Sequence, residues 1–256
     1  MFKIIGGYDP ESYNILNPYF LPFHFLNKYI KEFSVQSDGI LLDIGCGVKP
    51  YYKIFNNRIG RYIGLDYKES INTEDLKTVI SSERKTDIWG DAIFLPIKSS
   101  SVDTVFSSMV LEYINEPDIF IKEISRVLKP KGKLILSSPQ SYPIHHKERD
   151  FFRFTKHGIK YLLKKNNLEI ISIKQNGRFF VHIGEMINHY INRRMFRNVN
   201  GLFLKALLGI LKIILTPILI LITFFINIVC IFLNYFDIDE TFTSGYTVLA
   251  EKVSNE

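Results

Sequence analysis

The sequence predicts an α/β fold: an open, mostly parallel sheet flanked by helices. Ile40-Leu41-Leu42-Asp43-Ile44 is an apolar run carrying an acid near its end, and Gly45-Cys46-Gly47 turns the chain directly after it. Arg61–Asp66 is a second apolar run closing on an acid, about twenty residues beyond the glycines, the interval at which α/β nucleotide sites place a carboxylate against a ribose. Further apolar runs at 87–92, 102–109 and 133–138 are separated by polar or helix-spaced segments. Strand and helix in alternation make a parallel sheet.

In such sheets ligands bind beyond the carboxyl ends of the strands, so the glycine turn is the floor of a crevice. Glycines there remove the Cβ atoms that would hold a ligand off the backbone. A dinucleotide fingerprint needs Gly-x-Gly-x-x-Gly, and Pro50 occupies the third glycine's place. Asp43, two residues before the first glycine, would repel phosphates and suits a ligand with a cationic end. Asp66 presents two acceptor oxygens, which matches a vicinal diol. The run 87–92 places a third acid, Asp91, after a short strand.

These segments resemble the class I S-adenosylmethionine-dependent methyltransferases, whose motif I reads acid-x-Gly-x-Gly-x-Gly; Lys49 replaces the last glycine. Arg126-Val127-Leu128-Lys129-Pro130-Lys131-Gly132-Lys133 looks like the post-motif of the same family. The resemblance implies a Rossmann-like seven-stranded sheet whose last strand is antiparallel. It implies S-adenosyl-L-methionine as cofactor, held by Asp43, Gly45, Cys46 and Gly47 at the turn, and by Asp66 and Tyr67 at the ribose. Asp91 and the Ala92 amide match the positions that meet the adenine edge, and Ser107 lies where the fourth strand borders the cofactor.

The remaining elements follow from spacing. A helix is expected at about 22–34, with Phe25, Leu26, Tyr29, Ile30 and Phe33 on one face. Pro117 opens a helix reaching Leu128, and Phe120, Ile124, Val127 and Leu128 share its apolar face. Thr155 caps a helix over 156–165, and a sixth strand covers 168–173. Residues 244–253 read as the seventh strand. Residues 1–38 form an N-terminal cap in which Tyr8, Tyr13 and Tyr19 are either lid residues or anchors of a strap. The core takes 39–176 and 243–256, and 177–242 is an apolar insertion.

Composition narrows the function. The chain has 256 residues, net charge +6 and two cysteines, which fits one elaborated α/β domain in a reducing compartment with no disulfide framework. The first ten residues carry no secretion signal. The basic balance admits an anionic membrane surface, and no compact basic-aromatic motif points to nucleic acid. No metal-ligand spacing is present.

The segment after the fifth strand is polar and aromatic, and it hangs over the crevice. Its Asp150-Phe151-Phe152-Arg153-Phe154-Thr155 resembles a bacterial methyltransferase subgroup linked to surface polysaccharide synthesis. Methyl transfer from a sulfonium needs positioning above all, and a base if the acceptor is a hydroxyl. His145 and His146 are the candidate bases; Asp150 orients one of them, acts itself, or pairs with Arg153.

From Ile213 to Leu233 there is no charged residue. That length suffices for a membrane span, yet the seventh strand must return to the sheet. The expected arrangement is therefore a hairpin turning at Thr216-Pro217, with arms of roughly 22 Å, or two helices lying in the interface. Lys205 and Lys212 would snorkel, Arg193, Arg194 and Arg197 would meet anionic headgroups, and Thr216, Thr223, Asn227 and Asn234 form a polar stripe. The expected protein is a methyltransferase on the inner, cytoplasmic face of a membrane, peripheral or monotopic, acting on a glycan, lipid-linked glycan or lipid. A soluble small-molecule methyltransferase and a non-catalytic cofactor-binding scaffold are the alternatives.

Overall fold

A computed structural model describes residues 13–68, 86–144, 148–195 and 202–254, with side chains described outside 193–195 and 202–213. Seven strands form one sheet in the order β3-β2-β1-β4-β5-β7-β6. They are β1 (Ile40–Ile44), β2 (Arg61–Asp66), β3 (Ile88–Trp89), β4 (Val102–Ser108), β5 (Leu128–Pro139), β6 (Leu168–Gln175) and β7 (Gly245–Lys252). Only β7 runs antiparallel to its neighbours, inserted between β5 and β6. The seven-stranded mixed sheet with its antiparallel last strand is the architecture the sequence predicted.

Helices α1 (Phe20–Ser34), α2 (Tyr52–Phe55), α3 (Pro117–Val127), α4 (Lys156–Lys165), α5 (Phe179–Met195) and α6 (Leu202–Phe236) complete the described fold. Successive strand residues point to opposite faces, so each strand feeds two cores. Leu42, Val105, Leu134 and Leu136 meet Phe120 and Ile124 of α3 and Ile159 and Leu163 of α4. Leu41, Phe106, Ile135 and Leu249 point the other way, against Leu26, Ile30 and Phe33 of α1. Thr155 caps α4 by accepting from the Gly158 amide at 3.1 Å.

Two expectations are corrected. Strand β5 begins at Leu128, because that residue pairs with Val102 ahead of a register shift, and Lys131 turns at φ +63°. Helix α6 is continuous through Pro217, so no turn forms at Thr216-Pro217. The helical pair is instead α5 against α6, and a third small cluster joins Val181 of α5 and Cys230 of α6 to Leu21 and Phe25 of α1.

Candidate cofactor and acceptor site

The strand order reverses between β1 and β4, which places a crevice at their carboxyl ends. The glycine turn is pinned there by Gly45 and Cys46, whose amides donate to the Leu65 carbonyl at 2.8 and 3.1 Å. Gly45 adopts φ +76°, and a Cβ on it would fall 2.3 Å from a Val110 methyl. Gly47 adopts φ +48°, and a Cβ on it would meet nothing within 4 Å. The first glycine is therefore required by packing, and the second borders open space.

Lys49 explains how the loop turns without a third glycine. It takes φ +51°, a left-handed conformation that costs a non-glycine residue roughly 1 kcal/mol or more. Its side chain runs back under Gly64, where its Cε lies 2.5 Å from the place a Cβ would take, and its Nζ pairs with Asp87 at 2.6 Å. Asp87 also accepts from the Gly64 amide at 2.7 Å. The lysine thus keeps the turn and ties it to the approach of β3.

Asp66 closes the same loop. Its Oδ2 accepts from the Gly47 amide at 2.6 Å and its Oδ1 from the Tyr67 amide at 2.7 Å. These two bonds orient the Asp66 carboxylate, an acceptor-only group. The Gly90 amide donates to the Asp66 carbonyl at 3.0 Å, so Asp91 and Ala92 leave the sheet beside β2. Asp91 is exposed and accepts from the Ile93 amide at 3.1 Å, while Ala92 is buried.

Asp43 is buried and accepts from the Tyr62 hydroxyl. Burial pushes its carboxyl up to about 7; the Tyr62 hydrogen bond opposes that, Asp66 adds to it, and Lys49 opposes it. Cys46 is also buried, its Sγ near Thr86 and the Gly47 carbonyl at 3.7 Å, and burial pushes its thiol well up. Cys46 therefore packs the loop from below, leaving its backbone to face a ligand. Ser107 is fully buried and donates to the Ile44 carbonyl at 3.1 Å, so its hydroxyl fastens β4 to β1.

The polar segment after β5 reaches across this crevice. Phe151 and Phe152 amides donate to the Glu112 carbonyl beyond β4, at 2.9 and 3.2 Å. The Arg149 guanidinium lies 5.4 Å from the ring centroid of Tyr67 beyond β2. Strand β1 lies between these anchors. Both Asp150 oxygens are taken by Arg153, which also donates to the Tyr142 carbonyl. The Asp150 side chain is fully buried in that pair, the pairing with Arg153 that the sequence offered as one of its roles, and it latches the segment. His145 and His146 lie outside the described residues.

Spacing gave no signal for Glu112. It sits in the 3-10 turn Leu111–Tyr113 immediately after β4, fully buried, with neither carboxyl oxygen hydrogen-bonded among the described residues. Burial pushes it up to about 8, against the pull of Arg153.

Residues 42–136 match the family described as "Methyltransferase domain". This segment is similar to methyltransferase domains. The residues at the crevice fit S-adenosylmethionine: open space at Gly47, an oriented carboxylate in Asp66 and a buried acid beside them. Demethylmenaquinone methyltransferase of Lactobacillus johnsonii is 31 % identical over 120 residues, 44 % of this chain and 49 % of that protein. The chain spans about half the length of the curated relatives it matches. Among solved structures, the 4+2 cyclase SpnF superposes with a TM-score of 0.57 at 18 % identity, covering 99 % of this chain and 89 % of that one. Haemonchus contortus phosphoethanolamine N-methyltransferase 2, solved with S-adenosyl-L-methionine, gives 0.54 at 18 % identity, covering 90 % of this chain and 52 % of that one. At these identities the structures show a shared fold, and a named cyclase carrying it shows that the fold alone does not fix the reaction.

Proposed function

We propose that the protein is an S-adenosylmethionine-dependent methyltransferase working at the cytoplasmic surface of a membrane, on a lipid, lipid-linked glycan or glycan acceptor. The observation that carries the membrane reading is the inverted polarity of α6. Thr223 and Asn227 are buried, Asn227 donating to the Ile15 and Asn17 carbonyls at 2.7 and 3.2 Å. Asn234 accepts from the Arg178 amide at 2.8 Å. The opposite face exposes Ile218, Leu221, Phe225, Phe232 and Phe236.

A helix whose polar stripe faces protein and whose apolar stripe faces outward is suited to an apolar medium. Ile214–Phe236 has a mean hydropathy of 2.7 and is 17 % buried, unlike a core helix. Spanning would strip Asn227 and Asn234 of these partners, so the favoured arrangement lies in the membrane plane. Helix α5 adds Ile183, Ile187 and Tyr190 to the exposed apolar surface. The lysine and arginine residues expected to meet headgroups lie outside the described side chains.

Bound S-adenosylmethionine supplies a methyl group on a sulfonium, ready for in-line displacement. Asp66 would hold the ribose hydroxyls, the Gly45–Gly47 turn would admit the cofactor close to the backbone, and Asp91 with the Ala92 amide would meet the adenine. Asp43, once ionised, would supply the negative charge that favours the cofactor's cationic end. The segment roofing the crevice excludes water, and His145 or His146 takes the proton of a hydroxyl acceptor. The acceptor class rests on α6 and on the likeness of 150–155 to the polysaccharide-linked subgroup, because the family match ends at residue 136 and the segments past β5 lie beyond it.

Flotation with anionic liposomes tests the location: the full chain should float, and Phe225→Glu/Phe232→Glu should stay in the dense fraction. Equal behaviour of the two proteins overturns the membrane reading. Transfer of labelled methyl from S-adenosylmethionine to a membrane lipid extract tests the activity. Unchanged turnover in His145→Ala/His146→Ala would remove both as bases.

A further inference from the structure

The insertion that carries α5 and α6 leaves the sheet and rejoins it at one end. It departs after Gln175, the last residue of β6, and returns at Gly245, the first of β7. Gly245 pairs with Pro139 at the carboxyl end of β5, and Gln175 pairs with Tyr246. Both roots therefore stand at the carboxyl ends of the parallel strands, the end at which the crevice opens. The polar segment after β5 rises from the same end, and the insertion holds it on both flanks. Ser141 Oγ lies 3.3 Å from His182 Nε2 of α5, and the Tyr142 and His189 rings pack with centroids 5.7 Å apart. On the other flank Lys156 pairs at 3.1 Å with Glu240, in the loop between α6 and β7.

This segment turns apolar side chains outward. Ile144 is 65 % exposed, Phe151 50 % and Phe152 38 %. The rings form a ladder out of the core: Phe154 packs within it, the Phe152 ring lies 5.7 Å from Phe154, and the Phe151 ring lies 6.3 Å from Phe152. The backbone beneath them is pinned. The Phe151 and Phe152 amides are bonded to the Glu112 carbonyl, and Arg153 ties Asp150 to the Tyr142 carbonyl. Single exposed apolar residues are ordinary, whereas several held outward on one short segment mark a contact surface. The loop after α6 continues the pattern, exposing Ile238 and Phe242 on either side of Glu240.

We propose that the segment after β5 is a second membrane contact, seating Ile144, Phe151 and Phe152 at the boundary of headgroups and acyl chains. The inference rests on the membrane reading of α6 and adds an orientation to it: the sheet stands with its crevice mouth toward the bilayer. A single helix lying in the membrane plane can roll about its own axis, and a second contact off that axis stops the roll. The occupant is a bilayer because this surface continues the exposed apolar face of α6 through Ile238 and Phe242, around the end of the sheet where the crevice lies. Its apolar tips on a polar, hydrogen-bonded base also suit the shallow burial of interfacial segments, roughly 5–10 Å.

Depth-dependent fluorescence quenching tests this on the full chain, whose one tryptophan is Trp89. In a Trp89→Phe background, one reporter is Phe151→Trp and the other is Val253→Trp. Val253 is exposed just past β7, at the opposite end of the sheet and about 26 Å from Gly245 along the strand. With vesicles of phosphatidylglycerol and phosphatidylcholine brominated in the acyl chains, the Phe151→Trp reporter should shift to the blue and be quenched, and the Val253→Trp reporter should do neither. Phe151→Ser/Phe152→Ser should weaken vesicle binding about tenfold, with a wild-type urea midpoint showing that it folds. A chain that floats with vesicles while the Phe151→Trp reporter stays unquenched overturns the second contact and leaves the membrane reading of α6 standing. Equal quenching of the two reporters overturns the orientation. A blue shift without vesicles that grows with protein concentration gives the surface to a second copy of the chain and overturns the proposal. A chain that fails to float overturns the membrane reading, and this inference with it.

Discussion

The Gly47 amide donates to Asp66 Oδ2 at 2.6 Å, so the glycine turn after β1 and the acid that ends β2 form one unit. The bond aims the carboxylate, and the carboxylate holds the turn in its left-handed conformation. Asp66→Ala should therefore damage cofactor binding twice over, by removing the diol acceptor and by releasing Gly47. Charge-assisted hydrogen bonds contribute about 1.5–3 kcal/mol each, so S-adenosylmethionine affinity should fall by roughly ten- to a hundredfold. Asp66→Asn, which keeps the shape, should lose less. Calorimetric titration decides it; equal affinity in wild type and Asp66→Ala would remove Asp66 from the site.

Asp43 gives cofactor binding a pH dependence. Its carboxyl titrates at about 7 in the free protein, raised first by burial. A cationic ligand favours the ionised form, so binding lowers that value and releases a proton. Affinity should therefore rise with pH up to about 7 and flatten above it, with a slope of at most about tenfold per unit. Tyr62→Phe removes a hydrogen bond that favours the ionised form, so the inflection should move upward. Asp43→Asn should bind weakly with a flat profile. Dissociation constants measured between pH 5.5 and 8.5 check this, and a flat wild-type profile contradicts it.

The sheet was legible because its strands serve two cores. Leu41 and Leu42, or Val105 and Phe106, are adjacent apolar residues facing opposite layers, and such runs between turn signals mark buried parallel strands. The acids at Asp43, Asp66 and Asp91 stood out because a charge ending or following an apolar run needs a reason. Glu112 was hidden: its neighbours Asp150 and Arg153 lie about forty residues on, and no spacing rule connects them. Lys49 concealed a left-handed turn behind an ordinary side chain. Pro217 misled in the other direction. A proline inside a helix costs roughly 3 kcal/mol, so a break was the local expectation, but packing of α6 on α5 and the strap on both sides of that residue keeps the helix whole.

Glu112 and Glu185 make the fold itself sensitive to pH. Both carboxyls titrate at about 8 in the folded chain, chiefly through burial, against an ordinary value of 4.5. The folded state therefore binds more protons than the unfolded state between roughly pH 4.5 and 8, and stability falls as pH rises through that window. The slope approaches about 1.4 kcal/mol per pH unit for each group. Glu112→Gln keeps the neutral, hydrogen-bonding shape and should flatten part of the decline, with its largest stabilisation at pH 8 and little effect at pH 5. Urea midpoints at those two values measure it. The same decline in Glu112→Gln as in wild type would show that Glu112 is not the titrating group.

Asn227 joins three parts of the molecule, and that predicts how the strap is held. Its amide nitrogen serves the Ile15 and Asn17 carbonyls, and its oxygen receives Asn188 from α5. Asn227→Leu would leave those groups buried without partners, at about 1–3 kcal/mol for each one that water cannot reach. The first response should be local, because the strap can lift and hydrate its carbonyls at less cost than unfolding the sheet. Limited proteolysis should then cut near residues 13–19 in the variant under conditions that spare the wild type, while S-adenosylmethionine still binds at the far side of β1. Asn227→Asp keeps the oxygen for Asn188 and loses the donor to the carbonyls, so it should expose the strap as readily. A variant that resists the protease like wild type would mean that the contacts of α1 with α5 and α6, through Leu21, Phe25, Val181 and Cys230, hold the strap without the asparagine.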